Sequence, residues 1–210
     1  MPSKIVGLEE ARNRILDLEK RSRTRVIIGI TGKPGAGKST VASKLKEMLP
    51  REKTVILSQD GYHLSNTQLE SLGKSNVKGA PDTFDSKGFT EILFRTRNDL
   101  KSNIYFPIFH RGIEESISAE GLITEKTKIV LIEGNYLLLE THGWAEVSTH
   151  LNEIWYLQVD DDLRLQRLVA RHVEFGKDPH FALIWASGSD EANARLIEES
   201  CNRAHAFLLV

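Results

Sequence analysis

Apolar residues are spaced along the chain in two ways, as compact runs and at steps of three or four residues. The compact runs predict buried strands at residues 26–30, 54–58, 128–132, 153–159 and 205–210. The three- and four-residue steps predict helices at residues 3–22, 41–48, 89–100, 161–173 and 190–201. Strands alternating with helices indicate an α/β domain with a doubly wound, mainly parallel sheet and helices on both faces. Ligands of such sheets bind at the carboxyl ends of the strands.

The N-terminal and middle parts of the chain add detail to this outline. Residues 3–22 have one apolar helical face, so we expect residues 1–24 to form an amphipathic helix before the main domain at residues 25–210. Gly79 and Pro81 predict a loop over residues 74–85. Pro107 lies in the apolar run 104–109 and favours a short or edge strand there.

Composition and charge narrow the classes of function. With 28 basic and 29 acidic residues the net charge is −1, which argues against a general nucleic-acid binder because that mode needs a large basic surplus. No apolar run approaches the ~20 residues of a membrane-spanning helix, and the charged N-terminus lacks the apolar core of a secretory signal. The single cysteine, Cys201, is typical of a reducing compartment, so we expect a cytoplasmic protein without membrane partners.

The strongest motif is the glycine-rich segment that follows the strand at residues 26–30. It fits the pattern G-x-x-x-x-G-K-[ST] between a strand and a helix, in which backbone N–H groups surround the phosphates of a nucleotide. Lys38 reaches the β- and γ-phosphates in this pattern, and the Ser39 hydroxyl can bind Mg²⁺. The predicted nucleotide-binding residues are Gly32, Lys33, Pro34, Gly35, Ala36, Gly37, Lys38, Ser39 and Thr40. Thr40 stands where a dinucleotide-binding loop needs its third glycine, which disfavours that alternative.

Two acidic residues stand where predicted strands end. Asp60 follows the strand at residues 54–58, and Glu133 follows four apolar residues at 129–132. A carboxylate delivered beside a phosphate loop can hold Mg²⁺, directly or through water. The simpler alternatives are a turn residue for Asp60 and a helix-capping acid for Glu133. Together with the phosphate loop, the two acids favour an enzyme that acts on a magnesium nucleotide.

Three arginines share one face of the helix predicted at residues 161–173. Arg164, Arg167 and Arg171 follow each other at steps of three and four residues. Guanidinium groups on one face can neutralise charge on a phosphoryl group in transfer. Gly176 follows like a hinge, so we expect residues 164–180 to form a helical lid. The alternative is a solvent-exposed face paired with the acidic residues 160–162.

These motifs together resemble the phosphoribulokinase/uridine kinase family of P-loop kinases, which includes bacterial-type pantothenate kinase. The resemblance covers nearly all of residues 25–210 and rests on segments 32–40, 58–63, 78–85, 130–138 and 164–176. It implies the P-loop NTPase fold and ATP-dependent phosphorylation of a hydroxyl on a small molecule. It also implies that Asp60 is the base for that hydroxyl, that Glu133 belongs to the Mg²⁺ site with Ser39, and that the arginines belong to the lid. We therefore expect Asp60, Lys38 and Arg167 to be catalytic, and Arg164 and Arg171 to bind nucleotide.

The acceptor is left open by the sequence. Gly79 stands where nucleoside kinases of the family carry an acid for the ribose hydroxyls, which puts uridine in doubt. Nucleoside, sugar and pantothenate-like acceptors therefore remain, and a homodimer is possible. The candidate acceptor-binding residues are His63, Lys78, Asp85, His110 and Arg111. The alternative function is a P-loop ATPase or nucleotide-binding regulator without a small-molecule acceptor.

Overall fold

The computed structural model describes residues 2–176 and 178–210, so Lys177 in the expected lid lies outside the described residues. The strands are β1 Ser3–Val6, β2 Val26–Thr31, β3 Thr54–Ser58, β4 Ile104–His110, β5 Glu115–Ile123, β6 Ile129–Glu133, β7 Glu153–Gln158 and β8 Ala206–Leu209. The helices are α1 Gly7–Arg21, α2 Lys38–Met48, α3 Asn66–Ser71, α4 Ser86–Asn98, α5 Asp161–Glu174, α6 Pro179–Ser187 and α7 Ser189–Glu199.

Six strands form one sheet in the order β1-β8-β7-β2-β6-β3, and every neighbouring pair is parallel. The central strands β2 and β6 are buried along their whole length, as their continuous apolar runs predict. Successive residues of β2 face opposite sides, so Ile27 belongs to the core cluster that contains Phe89 of α4, while Ile28 belongs to the cluster that contains Leu45 of α2. The prediction of an α/β domain with helices on both faces is confirmed.

The N-terminal segment differs from the expectation of one helix over residues 3–22. Residues Ser3–Val6 form strand β1, which pairs in parallel with β8 at the sheet edge, and helix α1 begins only at Gly7. Ile5 is fully buried there, although its neighbours in β1 are exposed. The helix expectation was wrong for these four residues because pairing with a distant strand, invisible to local periodicity, decides their conformation.

A second, two-stranded sheet is formed by the antiparallel hairpin of β4 and β5. Strand β4 confirms the edge strand expected at residues 104–109, and its register shifts between Phe106 and Ile108, around Pro107. Sequence reasoning missed β5, because its residues are mostly polar and exposed. It also missed α3 and α6. None of the helices in the described parts of the chain combines the length and apolarity needed to cross a membrane.

Candidate active site

The phosphate loop runs from the end of β2 into the first turn of α2. Gly35 and Gly37 have positive φ angles of 83° and 93°, a backbone conformation that favours glycine and turns the chain into the helix. The Lys38 ammonium donates to the carbonyl oxygens of Gly32 and Lys33 at 2.8 and 3.1 Å. Burial lowers the pKa of Lys38 to about 8, while the carboxylates of Glu133 and Asp60 oppose the shift.

Helix α5 packs directly on this loop. A side-chain carbon built at Gly35 would lie 2.6 Å from the Arg164 carbonyl oxygen, so only glycine allows this approach. The Arg164 guanidinium is buried and bonds to Asp161 at 2.9 Å, to Glu191 of α7 at 2.6 Å and to the Pro34 carbonyl at 3.4 Å. The structure therefore places Arg164 as a clamp between the loop and two helices, and not in a cavity where it would contact nucleotide.

The next two arginines of α5 line different cavities beside the phosphate loop. Nη1 of Arg167 lies 3.8 Å from the position of a carbon built at Gly37, and Arg167 lines a cavity of about 320 Å³ outside the loop. We call this the small cavity. Its other lining residues are Leu8, Ala36, Gly37, Thr40, Val41, Lys44, Leu157, Gln158, Val159 and Val210. Arg171 instead lines a large cavity of about 490 Å³ on the inner side. The three arginines on one face of α5 thus lie in three environments: a buried ion-pair network, the small cavity and the large cavity.

The large cavity brings together most of the predicted site. Its predicted members are Pro34, Gly35, Gly37, Lys38, Ser39, Thr40, Asp60, His63, Lys78, Arg111, Glu133 and Arg171. Arg171 forms no ion pair with any described residue. Burial and the nearby Arg111 lower the pKa of its guanidinium, against the effect of Asp60.

The two predicted acids are joined through one serine. The Ser58 hydroxyl donates to Oε1 of Glu133 and accepts from the Asp60 backbone N–H at 3.1 Å. Burial and the Asp60 charge raise the pKa of Glu133, whereas Ser58 and Lys38 act in the opposite direction. The parallel pairing of β3 with β6 sets Ser58 opposite Glu133, which explains why both acids emerge at one edge of the sheet.

Asp60 faces the hairpin as well as the sheet. Its Oδ2 accepts from Nη2 of Arg111 at 2.9 Å, and Arg111 follows directly after β4. The hairpin comes this close because Gly61 has no side chain: a carbon there would lie 2.3 Å from the Pro107 carbonyl oxygen. The glycine after Asp60 is therefore needed to bring the hairpin against the base candidate.

His63 and Lys78 also line the large cavity. The His63 ring stacks on Phe84 with centroids 3.9 Å apart, and burial lowers its pKa to about 4. Lys78 donates to the Asn66 side-chain oxygen at 2.7 Å and to the Glu114 carbonyl at 2.6 Å.

Three other predicted residues have their side chains elsewhere. Lys33 is buried in ion pairs with Asp161 at 2.6 Å and Glu198 at 3.3 Å. Asp85 caps α4 by accepting from the Gly88 N–H at 2.8 Å. His110 pairs with Glu120 across the hairpin at 2.5 Å. The structure does not bring these three side chains into the large cavity, because each is held by another group of the protein.

Several residues that line the large cavity were not among the predicted site residues. They are Ser75, Gly79, Phe84, Phe109, Glu114, Asn135, His172, Phe175, Trp185, Asp190 and Asn193. His172 and Asp190 connect α5 and α7 through a 2.7 Å contact. Gly79, Phe84, Asn135, His172 and Phe175 stood in segments that carry the family resemblance, but those segments did not tell which of their residues face the cavity. The helical residues gave no signal, since the packing of α5 and α6 on α7 decides which of their side chains face inward.

The fold and this site define a P-loop nucleotide-binding protein of the kinase type. A family model described as AAA domain (AAA_18) matches residues 28–180. The "Putative uridine kinase C227.14" of Schizosaccharomyces pombe is 30% identical over 82% of this chain and 76% of its own. The pantothenate kinase of Rhizobium rhizogenes is 28% identical over 82% of this chain and 56% of its own.

A solved structure extends the similarity to nearly the whole chain. The "putative fructose transport system kinase" of Silicibacter sp. TM1040 superposes with a TM-score of 0.85 at 30% identity, covering 96% of this chain and 98% of its own. The chain belongs to the AAA_18 domain family and, within the P-loop proteins, to the phosphoribulokinase/uridine kinase family of kinases.

Proposed function

We propose that this protein transfers the γ-phosphate of ATP to a hydroxyl of a small molecule, as an enzyme similar to uridine kinase. The observation that carries the proposal is the shared cavity, in which Asp60 and Arg171 face the phosphate loop and Lys38. A protein that only binds nucleotide needs neither a carboxylate nor an unpaired arginine opposite the phosphates. The cavity also extends past Asp60 to His63 and Lys78, which leaves room for an acceptor.

The arrangement of the two cavities supports a location for each part of ATP. Gly37 and Thr40 line both cavities, so the phosphate loop separates them. Phosphates held by the loop N–H groups and the α2 N-terminus would direct the adenine of ATP into the small cavity beside Arg167. The γ-phosphate would then extend towards Arg171 and Asp60 in the large cavity.

Ser39 and Glu133 supply the oxygen donors that Mg²⁺ prefers, a hydroxyl and a carboxylate, on the wall of the large cavity. Glu133 is buried beside Asp60, and a bound cation would compensate this cost. We infer that these two residues hold Mg²⁺ with the nucleotide. When bound, the ion neutralises charge on the β- and γ-phosphate oxygens.

The chemical step follows from the positions of Asp60 and Arg171. The acceptor oxygen forms a bond to the γ-phosphorus, and the bond from that phosphorus to the β–γ bridging oxygen breaks, which leaves ADP. The hydroxyl proton passes to the Asp60 carboxylate, whose Oδ2 is fixed by Arg111 at 2.9 Å. The Arg171 guanidinium stabilises negative charge on the oxygens of the transferred group.

The proposal is tested by ADP release from ATP and Mg²⁺, with and without a panel of hydroxylated metabolites. We expect release to rise strongly with at least one metabolite and a phosphorylated product to form in equal amount. Release that is independent of any metabolite would indicate an ATPase instead. Nucleotide binding without release would indicate a regulator. Either result would contradict the proposed kinase.

A further inference from the structure

We propose that the acceptor is a small hydroxy compound that carries an anionic group, a carboxylate or a phosphate, recognised by Lys78, Arg111 and His63. The inference rests on the kinase function proposed above and narrows its acceptor. The three side chains line the large cavity next to Asp60. The acceptor hydroxyl must approach that carboxylate to react.

Lys78 offers a positive charge that its neighbours compensate poorly. Its side chain is only 15% exposed, and the nearest carboxylate oxygen, Oε2 of Glu114, lies 3.7 Å away on a side chain that is 53% exposed. The shorter contacts of the ammonium go to uncharged oxygens of Asn66 and the Glu114 backbone. Its nitrogen also lies 5.2 Å above the Phe109 ring. An anionic ligand would make the stronger, charge-assisted hydrogen bond here.

Arg111 brings a second cation next to the reacting position. Among the described residues its guanidinium makes a single hydrogen bond, from Nη2 to Asp60, and a guanidinium has five N–H donors. An acceptor hydroxyl bonded to Asp60 would therefore place an adjoining anionic group within reach of the free donors of Arg111. Arginine binds carboxylates and phosphates in this forked manner.

His63 completes the set with a neutral, fixed ring. Nδ1 of His63 is buried and has no partner among the residues that the structure describes. The ring stays in place between Phe84 and Phe109, with centroid distances of 3.9 and 5.0 Å. With a pKa of about 4 the ring is uncharged near neutral pH. A ligand oxygen at Nδ1 would satisfy this otherwise orphaned group.

The carboxylates of the described cavity wall argue against a neutral sugar diol as the recognised group. Asp190 is bonded to His172 at 2.7 Å, and Glu114 faces Lys78. Asp60 and Glu133 are committed to the proposed base and metal roles. Each of these four acids therefore already has a partner or a role. Lys78 and Arg111 pair with Glu114 and Asp60, but each has more N–H donors than its contacts use, which leaves donors for an anion.

The test uses acceptors that are matched in all but charge. ADP release is measured with glycerate against glycerol, gluconate against glucitol, pantothenate against pantothenol, and glucose 6-phosphate against glucose, together with uridine. We expect the anionic member of at least one pair to exceed its neutral partner by about tenfold or more in kcat/KM, as the loss of a hydrogen bond to a charged group implies. The active pair also tells whether the group is a carboxylate or a phosphate.

Three outcomes of this assay are separable. Equal or greater release with the neutral members or with uridine overturns the anionic acceptor and leaves the kinase intact. No acceptor-dependent release with any compound overturns the proposed function and this inference with it. Preference for an anionic member supports both.

A charge variant then assigns the recognition to its residue. Lys78→Met keeps the length of the side chain and removes its charge, so we expect KM for the anionic acceptor to rise about tenfold or more while ATP affinity stays unchanged. Lys74→Met is the matched control, because Lys74 pairs with Asp82 at 2.7 Å on the same loop and does not line the large cavity. An equal loss for the anionic and neutral members of a pair would overturn recognition of charge by Lys78.

Discussion

The two sides of the large cavity are built in different ways. The phosphate side is one continuous stretch, residues 32–40, whose shape comes from backbone conformation and from the packing of α5 on Gly35. The acceptor side gathers side chains from several elements and fixes them through ion pairs and ring contacts, as with Arg111 on Asp60 and His63 on Phe84. We infer that ATP binding and transfer to the acceptor can be separated by mutation, because they depend on different sides.

The largest expected effect lies on the phosphate side. Lys38→Ala removes the buried cation at the centre of the phosphate loop, so we expect both ATP affinity and turnover to be lost. Calorimetry with ATP and the ADP-release assay measure the two losses. Lys46→Ala, in the last turn of the same helix, is the control and should behave as the wild type. Near-normal turnover in folded Lys38→Ala protein would refute the assignment.

Asp60→Asn should give the next largest effect, confined to the transfer step. Asparagine has nearly the same shape but cannot accept the hydroxyl proton, and general-base assistance contributes about 10²–10⁴-fold to rate. We therefore expect transfer to fall by about two decades or more. ATP affinity should stay near the wild-type value, because the phosphate loop carries it. Calorimetry and single-turnover transfer with an active acceptor check both statements.

Two other results for Asp60→Asn would change the interpretation. If ATP affinity fell together with rate, Asp60 would belong to the phosphate side as a metal ligand or structural residue. If neither changed, the acceptor hydroxyl would use another base or none, and the separation of the two sides would no longer rest on this residue.

The phosphate side could be predicted from sequence because it is local. A glycine pattern between a strand and a helix is enough to predict a phosphate loop over residues 32–40, although the packing of α5 on Gly35 could not be predicted from it. The strand-end positions of Asp60 and Glu133 were also predictable, since parallel strands deliver their carboxyl ends to one edge. The six-stranded sheet followed from its apolar runs, except at β1, where pairing with β8 overrides the helical pattern.

The acceptor side could be predicted only in part, because tertiary contacts select its residues. Helical spacing correctly set Arg164, Arg167 and Arg171 along one face of α5, yet spacing alone cannot tell which one meets a carboxylate. Arg164 pairs with Glu191 of α7, a helix that follows later in the chain, and it does not line the large cavity. In the same way His110 finds Glu120 on β5, a strand whose polar sequence had no recognisable pattern.

Arg171 and Arg164 of α5 allow a matched comparison, with an expected loss of transfer between those for Asp60→Asn and Glu133→Gln. Arg171→Met should reduce transfer by about two decades, somewhat less than the roughly 10³–10⁵-fold known for transition-state arginines, with little change in melting temperature. Arg164→Met should instead lower the melting temperature, because it removes a buried guanidinium that joins Pro34, Asp161 and Glu191, at a cost of about 1–3 kcal/mol. Transfer assays and thermal unfolding of both variants give the comparison. Equal loss of stability in the two variants would contradict the distinction between a clamp and a catalytic arginine.

The smallest expected effect is at Glu133, which lies at the border between the two sides. Its carboxylate is held by Ser58 next to Asp60, and Lys38 of the phosphate side acts on its pKa. Glu133→Gln keeps an oxygen that can accept from Ser58 and removes the charge. Since a buried charge is costly to keep, the variant should be as stable as the wild type or more so.

What Glu133→Gln should lose is affinity for Mg²⁺. A titration of activity against Mg²⁺ at fixed ATP should shift to higher concentration by about tenfold, the lower end of losses seen when support of a metal site is removed. Binding of Mg²⁺–ATP followed by calorimetry provides a second measurement that does not depend on turnover. Asp60→Asn is the informative comparison, because it should leave the titration midpoint in place while lowering the rate at saturation. An unshifted midpoint for Glu133→Gln, with normal rate, would contradict the assignment of Glu133 to the metal site. Ser39 would then be the one residue proposed here that holds Mg²⁺.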